Sequence, residues 1–116
     1  MRQISSYQKG LWAEWLVAFY LRFIGYKILA KRYKTKFGEI DLIARKNNVL
    51  IFVEVKARKN QEDGLEAVTL KTQKRIINAA KIFIQNYEQE VMAIRFDVAA
   101  VSAHGIVEHI RNAFCE

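Results

Sequence analysis

Three ionisable residues in two neighbouring segments have the types and spacing needed to hold a divalent metal ion and to act on a phosphate. Asp41 lies in a segment rich in β-branched residues (39–45), and Glu54 and Lys56 lie in a second such segment (49–57). Segments of this composition are typical of β-strands. Carboxylates suit Mg²⁺ and Mn²⁺, and a lysine beside them can orient or deprotonate an attacking water, or neutralise charge on a phosphate.

The two segments are predicted to form a hairpin, because only Asn47 and Asn48 separate them. A two-residue turn places Asp41 opposite Glu54 on one side of the sheet, with Cβ atoms about 5 Å apart. Two like charges at this distance are destabilising unless a cation compensates them. Lys56 follows two residues after Glu54, so its side chain is expected on the same face, roughly 7 Å further along the strand.

A purely structural interpretation is also open. The same register places Glu39 opposite Lys56, and cross-strand ion pairs are common on exposed sheet faces. Against it, Leu50 and Phe52 share the face of Glu54, which indicates an apolar side of the sheet. A slip of one residue in the register would send the two carboxylates to opposite faces and remove the predicted site.

Glu14 is a further candidate ligand, because it is the only acidic residue of a predicted first helix over 6–24. This helix has almost continuous apolar residues and ends at Gly25, a residue that commonly follows a helix C-terminus. We expect the helix to be largely buried, with Trp12 and Trp15 in the core. A charge on such a helix needs a partner.

The remaining segments complete an α-β-β-β-α-β-β order. They are a strand over 26–33, a polar loop over 60–64, an amphipathic helix with apolar residues from Ile76 to Tyr87, a strand over 92–101 and a fifth strand over 106–110. A strand, helix and strand in sequence favour a parallel crossover. With 52% hydrophobic residues, the 116-residue chain is predicted to form one α/β domain over 1–116, with a mixed sheet flanked by two main helices.

The positive charge is concentrated in one part of the chain. The formal net charge is +7, and residues 27–59 contain ten of the 19 basic residues but only three of the 12 acidic ones. This distribution indicates nucleic acid as the partner, whereas a solubilising face is the alternative. The second helix adds a basic outer face that begins near its N-terminus, where the helix dipole also favours anions. The side chains expected to contact phosphates are Lys36, Arg58, Lys71, Lys74 and Arg75.

Cysteine usage and hydropathy suggest the compartment. The only cysteine, Cys115, cannot form an internal disulfide or a thiolate metal site. The longest apolar stretch is too short to span a bilayer, and the N-terminus lacks a secretory signal pattern. We therefore expect a cytoplasmic protein without a membrane partner. His104 and His109 are expected to face solvent rather than to bind metal.

Five motifs, in order along nearly the whole chain, resemble the uncharacterised bacterial YraN-like family. They are Gly10-x-x-Ala13-Glu14, Gly38-Glu39-Ile40-Asp41-Leu42-Ile43, Phe52-Val53-Glu54-Val55-Lys56-x-Arg58, Arg95-Phe96-Asp97-Val98 and Ile110-Arg111-Asn112-Ala113-Phe114. That family in turn looks like a member of the PD-(D/E)xK nuclease superfamily. The resemblance implies the restriction-endonuclease-like core that archaeal Holliday-junction resolvases also have.

The resemblance implies a metal-dependent nuclease that hydrolyses DNA phosphodiester bonds with Mg²⁺ or Mn²⁺, with structured or branched DNA as a candidate substrate. It implies Asp41 and Glu54 as metal ligands, Lys56 as the catalytic lysine and Glu14 as an accessory ligand. Gln73 occupies a position where related nucleases often have a polar residue near the site.

The chain departs from the superfamily pattern in two places. Ile40 stands where the superfamily signature has proline, and residues 63–65 lack the proline-bearing turn expected before the second helix. A non-catalytic nucleic-acid-binding module that retains the fold is the alternative function, and a scaffold for another protein is a third. A homodimer is an arrangement that the sequence leaves open.

Overall fold

The computed structural model describes residues 5–58 and 68–116, so the predicted loop over 60–64 and the departure at 63–65 lie outside the described residues. The elements are α1 (Ser6–Phe23), β1 (Lys27–Lys34), β2 (Glu39–Lys46), β3 (Val49–Ala57), α2 (Leu70–Gln85), β4 (Ala93–Val101) and β5 (Val107–Phe114). This α/β architecture confirms the predicted fold class and element order. The fifth strand extends four residues beyond its predicted end at Ile110.

The strands form one mixed sheet in the order β1-β2-β3-β4-β5. Neighbours are antiparallel except β3 and β4, which are parallel and connected through α2, as a strand, helix and strand in sequence predict. The β2–β3 hairpin has the predicted register, from the pair Lys46↔Val49 to the pair Leu42↔Val53. Asn47 adopts a φ of 54°, the left-handed conformation that a tight hairpin turn requires.

Apolar side chains cover both faces of the sheet. On the α2 face, Phe52 and Phe96 stack with ring centroids 5.5 Å apart, and Ile76 of the helix is buried with them. On the α1 face, Val17 and Leu21 of the helix are buried against the strands. A fully buried side chain of this size stabilises a fold by about 1.5–3 kcal/mol, so the two layers hold the helices against the sheet.

Capping interactions define where the helices begin and end. Ser5 caps α1, because its Oγ accepts a hydrogen bond from Gln8 N at 3.1 Å while Ser5 N donates to Gln8 Oε1 at 3.0 Å. Gly25, with a φ of 101°, turns the chain after α1 into β1. Thr69 caps α2 through a hydrogen bond from Thr72 N. Within the described residues, neither helix is long and apolar enough to cross a membrane.

The prediction that Trp12 and Trp15 lie in the core is wrong. Their side chains are 41% and 60% exposed, because the sheet covers only the opposite side of α1, where Ala13 and Val17 are fully buried. The composition of α1 is apolar on all sides, so the sequence does not show which side meets the sheet.

A buried ionic network joins β4 and β5 and was not predicted. Asp97 has no exposed surface, and its carboxylate accepts hydrogen bonds from Arg95 Nε at 2.9 Å, Arg95 Nη2 at 2.8 Å and Asn112 N at 2.8 Å. His109 Nε2 lies 2.7 Å from the same carboxylate, and His109 Nδ1 lies 3.1 Å from Tyr20 Oη. Burial raises the pKa of Asp97, but the hydrogen bonds from His109, Arg95 and Asn112 outweigh it and lower the pKa to about 2.

The prediction that His109 faces solvent is wrong, since its side chain is only 3% exposed. The sequence placed this residue near the end of a short terminal strand, whereas β5 continues to Phe114 and pairs with β4. His104, in the turn before β5, is exposed as expected.

Candidate active site

A cleft of roughly 370 Å³ collects side chains from both helices and from β1, β2 and β3. It is lined by Glu14, Arg32, Gly38, Glu39, Asp41, Glu54, Thr72, Arg75 and Ile76. Three of the predicted site residues, Glu14, Asp41 and Glu54, therefore meet in one place although they come from α1, β2 and β3.

The β2–β3 ladder stops just before Asp41, and a side chain replaces the backbone pairing there. Leu42 forms the last regular pair, and Asp41 Oδ2 instead accepts a hydrogen bond from Val55 N at 2.8 Å. The alternation of faces along β2 is also interrupted: Leu42 packs on the α1 side, whereas Ile40 and Ile43 both pack on the α2 side. This irregularity holds the Asp41 carboxylate at the end of the hairpin.

The carboxyl groups of Asp41 and Glu54 are hydrogen-bonded to each other, although the last regular pair of the ladder is Leu42↔Val53. The Glu54 side chain is only 11% exposed. Burial raises the pKa of Glu54 to about 9, and the hydrogen bond and charge of Asp41 act in the same direction. Without a cation, the pair therefore retains a proton at neutral pH.

Lys56 stands beside the pair rather than in the cleft lining. Its Nζ lies 3.9 Å from Glu54 Oε1, and its charge offsets only part of the rise in the pKa of Glu54. The structural alternative paired Lys56 with Glu39, but the ion pair that Lys56 makes is with Glu54, and Glu39 instead lines the cleft.

Glu14 contributes a third carboxylate from α1. Its side chain is 17% exposed, and Oε1 lies 3.4 Å from Nε of Arg32. Burial raises the pKa of Glu14 to about 6, the nearby Asp41 adds to the rise, and Arg32 partly offsets it. Arg32 is therefore the charged partner that Glu14 needs on this apolar helix.

Arg32 is a site residue that the sequence analysis did not single out. It has a φ of 51° within β1, a left-handed conformation that is costly for a side chain with a Cβ. Its guanidinium carbon lies 5.4 Å from the centre of the Tyr7 ring, and its buried Nε is ion-paired with Glu14 but donates no well-aligned hydrogen bond to any described residue. In the sequence Arg32 is one of ten basic residues in the 27–59 window, so no local signal distinguishes it.

The N-terminal turns of α2 form the opposite wall. Thr72, Arg75 and Ile76 line the cleft, and Arg75 was predicted as a phosphate contact. Gly38 allows this close approach, because a Cβ at position 38 would lie 2.9 Å from Cβ of Arg75. Lys71 and Lys74, also predicted as phosphate contacts, are exposed on the same turns.

Two other predicted phosphate contacts, and the predicted site residue Gln73, have different surroundings. Lys36 is exposed, and its Nζ lies 5.2 Å from the centre of the Phe37 ring. Gln73 is partly buried, and its Nε2 donates to Val68 O at 3.1 Å. The Arg58 side chain is only 7% exposed, with Nη1 paired to Glu108 Oε2 at 2.6 Å, so the structure does not bring it to the cleft.

The oxygen ligands of the cleft fit a small divalent ion. Over residues 5–58 and 68–116, no three histidine, cysteine, aspartate or glutamate side chains are grouped as a ready metal-binding set. Mg²⁺ does not need one, since it keeps several waters and commonly uses one or two carboxylates. Asp41 and Glu54 supply two, and the proton that this pair retains is the charge that a cation would replace.

Comparison with known proteins places the chain in a family. Residues 13–101 match the model of the uncharacterised protein family UPF0102. The chain belongs to this family. It is 42% identical to a UPF0102 protein of Nitrobacter winogradskyi, over 97% of this chain and 96% of that protein. It is also 42% identical to one of Mesorhizobium japonicum, over 95% and 89% of the two chains.

A UPF0102 protein of Rhodopseudomonas palustris is 40% identical over 98% of this chain and 88% of its own length. These matches confirm the YraN-like family that the motifs predicted.

Proposed function

We propose that the cleft is the phosphodiesterase site of a nuclease that hydrolyses DNA with the aid of Mg²⁺ or Mn²⁺. The observation that carries this proposal is the contact between the carboxyl groups of Asp41 and Glu54 in a cleft, where burial, together with the hydrogen bond and charge of Asp41, raises the pKa of Glu54 to about 9. Such an arrangement lowers the stability of the protein unless a cation occupies it. Perturbed carboxyl groups in a cleft are typical of functional sites.

Asp41 and Glu54 would hold the metal ion, with Glu14 as an accessory ligand. When bound, the ion would stabilise charge on the phosphate in the transition state and lower the pKa of a water. The hydrogen bond from Val55 N at 2.8 Å keeps the Asp41 carboxylate in position, so little reorganisation is needed on binding. Lys56, whose Nζ lies beside Glu54, would orient the attacking water or neutralise charge at the scissile phosphate.

The remaining walls suit a phosphate backbone. Arg32 and Arg75 present guanidinium groups, and Thr72 lies in the first turn of α2, where the helix dipole favours anions. The exposed Lys36, Lys71 and Lys74 would contact phosphates further along the strand.

The family resemblance supports the same assignment. The mixed five-stranded sheet, with two helices and carboxylates at the end of the hairpin, is the arrangement that the resemblance to PD-(D/E)xK nucleases implies. Fold alone does not establish an activity, so the proposal depends on the cleft residues. Structured or branched DNA is the substrate class that the resemblance adds.

Metal binding is the first test. Calorimetric titration of Mg²⁺ and of Mn²⁺ should show binding to the wild type in the millimolar range or tighter, and loss of binding in Asp41→Asn and Glu54→Gln. Glu88→Gln removes an exposed carboxylate outside the cleft and should bind the metal like the wild type. Equal binding by all four proteins would overturn the assignment of the ligands.

Cleavage is the second test. Labelled linear duplex, nicked duplex, four-way junction and single-stranded RNA are incubated with each protein and Mg²⁺. Cutting of a DNA substrate by the wild type and Glu88→Gln, but not by the two cleft variants, would support the nuclease. DNA binding without cutting, together with no metal binding, would instead support the binding module that retains the fold.

A further inference from the structure

Four aromatic side chains of α1 form an exposed stripe, which consists of Trp12, Trp15, Phe19 and Phe23. They are three, four and four residues apart, so they lie on one side of the helix over successive turns. Their exposed fractions are 41%, 60%, 60% and 83%. The rings of Trp15 and Phe19 stack with centroids 6.0 Å apart, so the stripe is a continuous apolar surface.

The stripe is on the side of α1 that faces away from the sheet. Ala13, Val17 and Leu21 are fully buried on the other side. A helix that is apolar all round is typically buried all round. One covered side and one open side therefore leave the packing of α1 incomplete in the single chain.

We infer that a second copy of this chain covers the stripe, and that the two copies form a two-fold dimer through their α1 helices. This inference does not depend on the proposed nuclease activity. A two-fold axis that crosses α1 places the stripe against itself, so the contact is closed and does not propagate into a filament.

The exposed area of the stripe is most of what such a dimer needs. Its four side chains are between 41% and 83% exposed. With roughly 150–250 Å² for each large aromatic side chain, the exposed area is on the order of 600 Å² per copy. This is at the upper limit of patches on monomers, and with a polar rim it approaches the ~800 Å² per partner of a standard interface.

The charges near the stripe favour protein over nucleic acid as its occupant. Lys9 and Arg22 are the only basic residues of α1, whereas the net charge of +7 arises from residues 27–59. Aromatic side chains that stack on bases are normally accompanied by basic residues along the strand path. An aromatic centre with few charges is instead typical of the core of a protein interface.

Sedimentation velocity over a range of micromolar concentrations tests the inference. The wild type should sediment as a species of twice the 13.5 kDa chain mass. The double variant Trp15→Ser, Phe19→Ser should weaken association by at least about 30-fold, the effect of losing one interface hot spot. Met92→Ser is the control, since Met92 is 84% exposed and lies before β4, outside α1.

Cysteine cross-linking gives a second readout, which does not depend on whether the double variant Trp15→Ser, Phe19→Ser keeps wild-type stability. Cys115→Ser removes the only cysteine, and Phe19→Cys or Met92→Cys is then introduced. Under a mild oxidant, the Phe19→Cys protein should give a disulfide-linked dimer in high yield and the Met92→Cys protein should not. A wild type that stays monomeric at every concentration, or equal cross-linking at both positions, would overturn the inference. The inference would also be overturned if the monomeric wild type bound lipid vesicles or single-stranded DNA and the double variant did not.

Discussion

Replacing Asp97 with asparagine should destabilise the protein strongly, because the carboxylate is the shared acceptor of the buried β4–β5 network. Asparagine keeps the shape but removes the charge that Arg95 pairs with at 2.8 Å. Removing one partner of a buried ion pair leaves the other charge uncompensated and costs about 3–5 kcal/mol. We expect a loss near the lower end, about 3 kcal/mol at pH 7, because the amide oxygen still accepts one hydrogen bond.

The pH dependence of this difference follows from the pKa of Asp97. In the folded protein the pKa is lowered from 3.8 to about 2, so the folded state favours the ionised carboxylate. The resulting stability is fully present above the unfolded pKa and is lost as the pH falls through the folded pKa. The shift corresponds to about 2 kcal/mol, which disappears mainly between about pH 4 and pH 2.

Urea unfolding of the wild type and Asp97→Asn, followed by tryptophan fluorescence, measures this effect at several pH values. The difference between the two free energies of unfolding should narrow by about 2 kcal/mol from pH 7 to pH 2, while Glu88→Gln tracks the wild type. Other acidic groups titrate in both proteins and cancel in the difference. A difference that is near zero at pH 7, or that does not change with pH, would refute this account of the network.

Three further predictions concern the cleft. In a buffer with a metal chelator at pH 7, Glu54→Gln should raise the free energy of unfolding by about 1–3 kcal/mol, because the wild type must take up a proton on folding. Urea unfolding measures this difference. A variant less stable than the wild type would contradict the prediction. Arg32→Ala should reduce the slope of log affinity for duplex DNA against log salt concentration by about 1. Arg32→Gly should be about 1 kcal/mol more stable to unfolding than Arg32→Ala, because glycine accepts the φ of 51°. Equal stability of these two variants would show that the backbone is not strained at this position. Gly38→Ala should lower the free energy of unfolding by about 1–3 kcal/mol and weaken metal-dependent DNA binding, because the new Cβ would lie 2.9 Å from Cβ of Arg75. An unchanged free energy of unfolding and unchanged DNA binding would show that α2 can move away without cost.

The hairpin was the most predictable part of the site because its register depends on local features. Two asparagines between two β-branched segments define the turn, and the turn defines the pairs from Lys46↔Val49 outward. That register brings Asp41 and Glu54 to the same end of the hairpin. What the register does not reveal is that the ladder ends at Leu42 and that the Asp41 side chain then replaces a backbone acceptor.

The other features depend on contacts between residues far apart in the sequence. His109 was predicted to face solvent because its partner Asp97 lies on another strand, and strand pairing brings the two together. Trp12 and Trp15 were predicted as core because hydrophobicity does not show which side of α1 meets the sheet. The left-handed φ of Arg32 has no sequence signal at all, since glycine or asparagine normally marks such positions.

The costs concentrated around the cleft are the strongest reason to regard it as functional. A salt-bridge ladder on an exposed sheet face would stabilise the protein, yet the Lys56 contact of 3.9 Å leaves the pKa of Glu54 at about 9. Glutamine at position 54 would remove this penalty without changing the shape of the side chain. Elsewhere the residues of the hairpin turn, the helix caps and the two core layers are those that the fold favours. Proteins that keep an unfavourable arrangement usually do so where function requires it. The proposed cation would explain the acidic pair, because a cation bound by Asp41 and Glu54 would offset the cost of burying two carboxyl groups together.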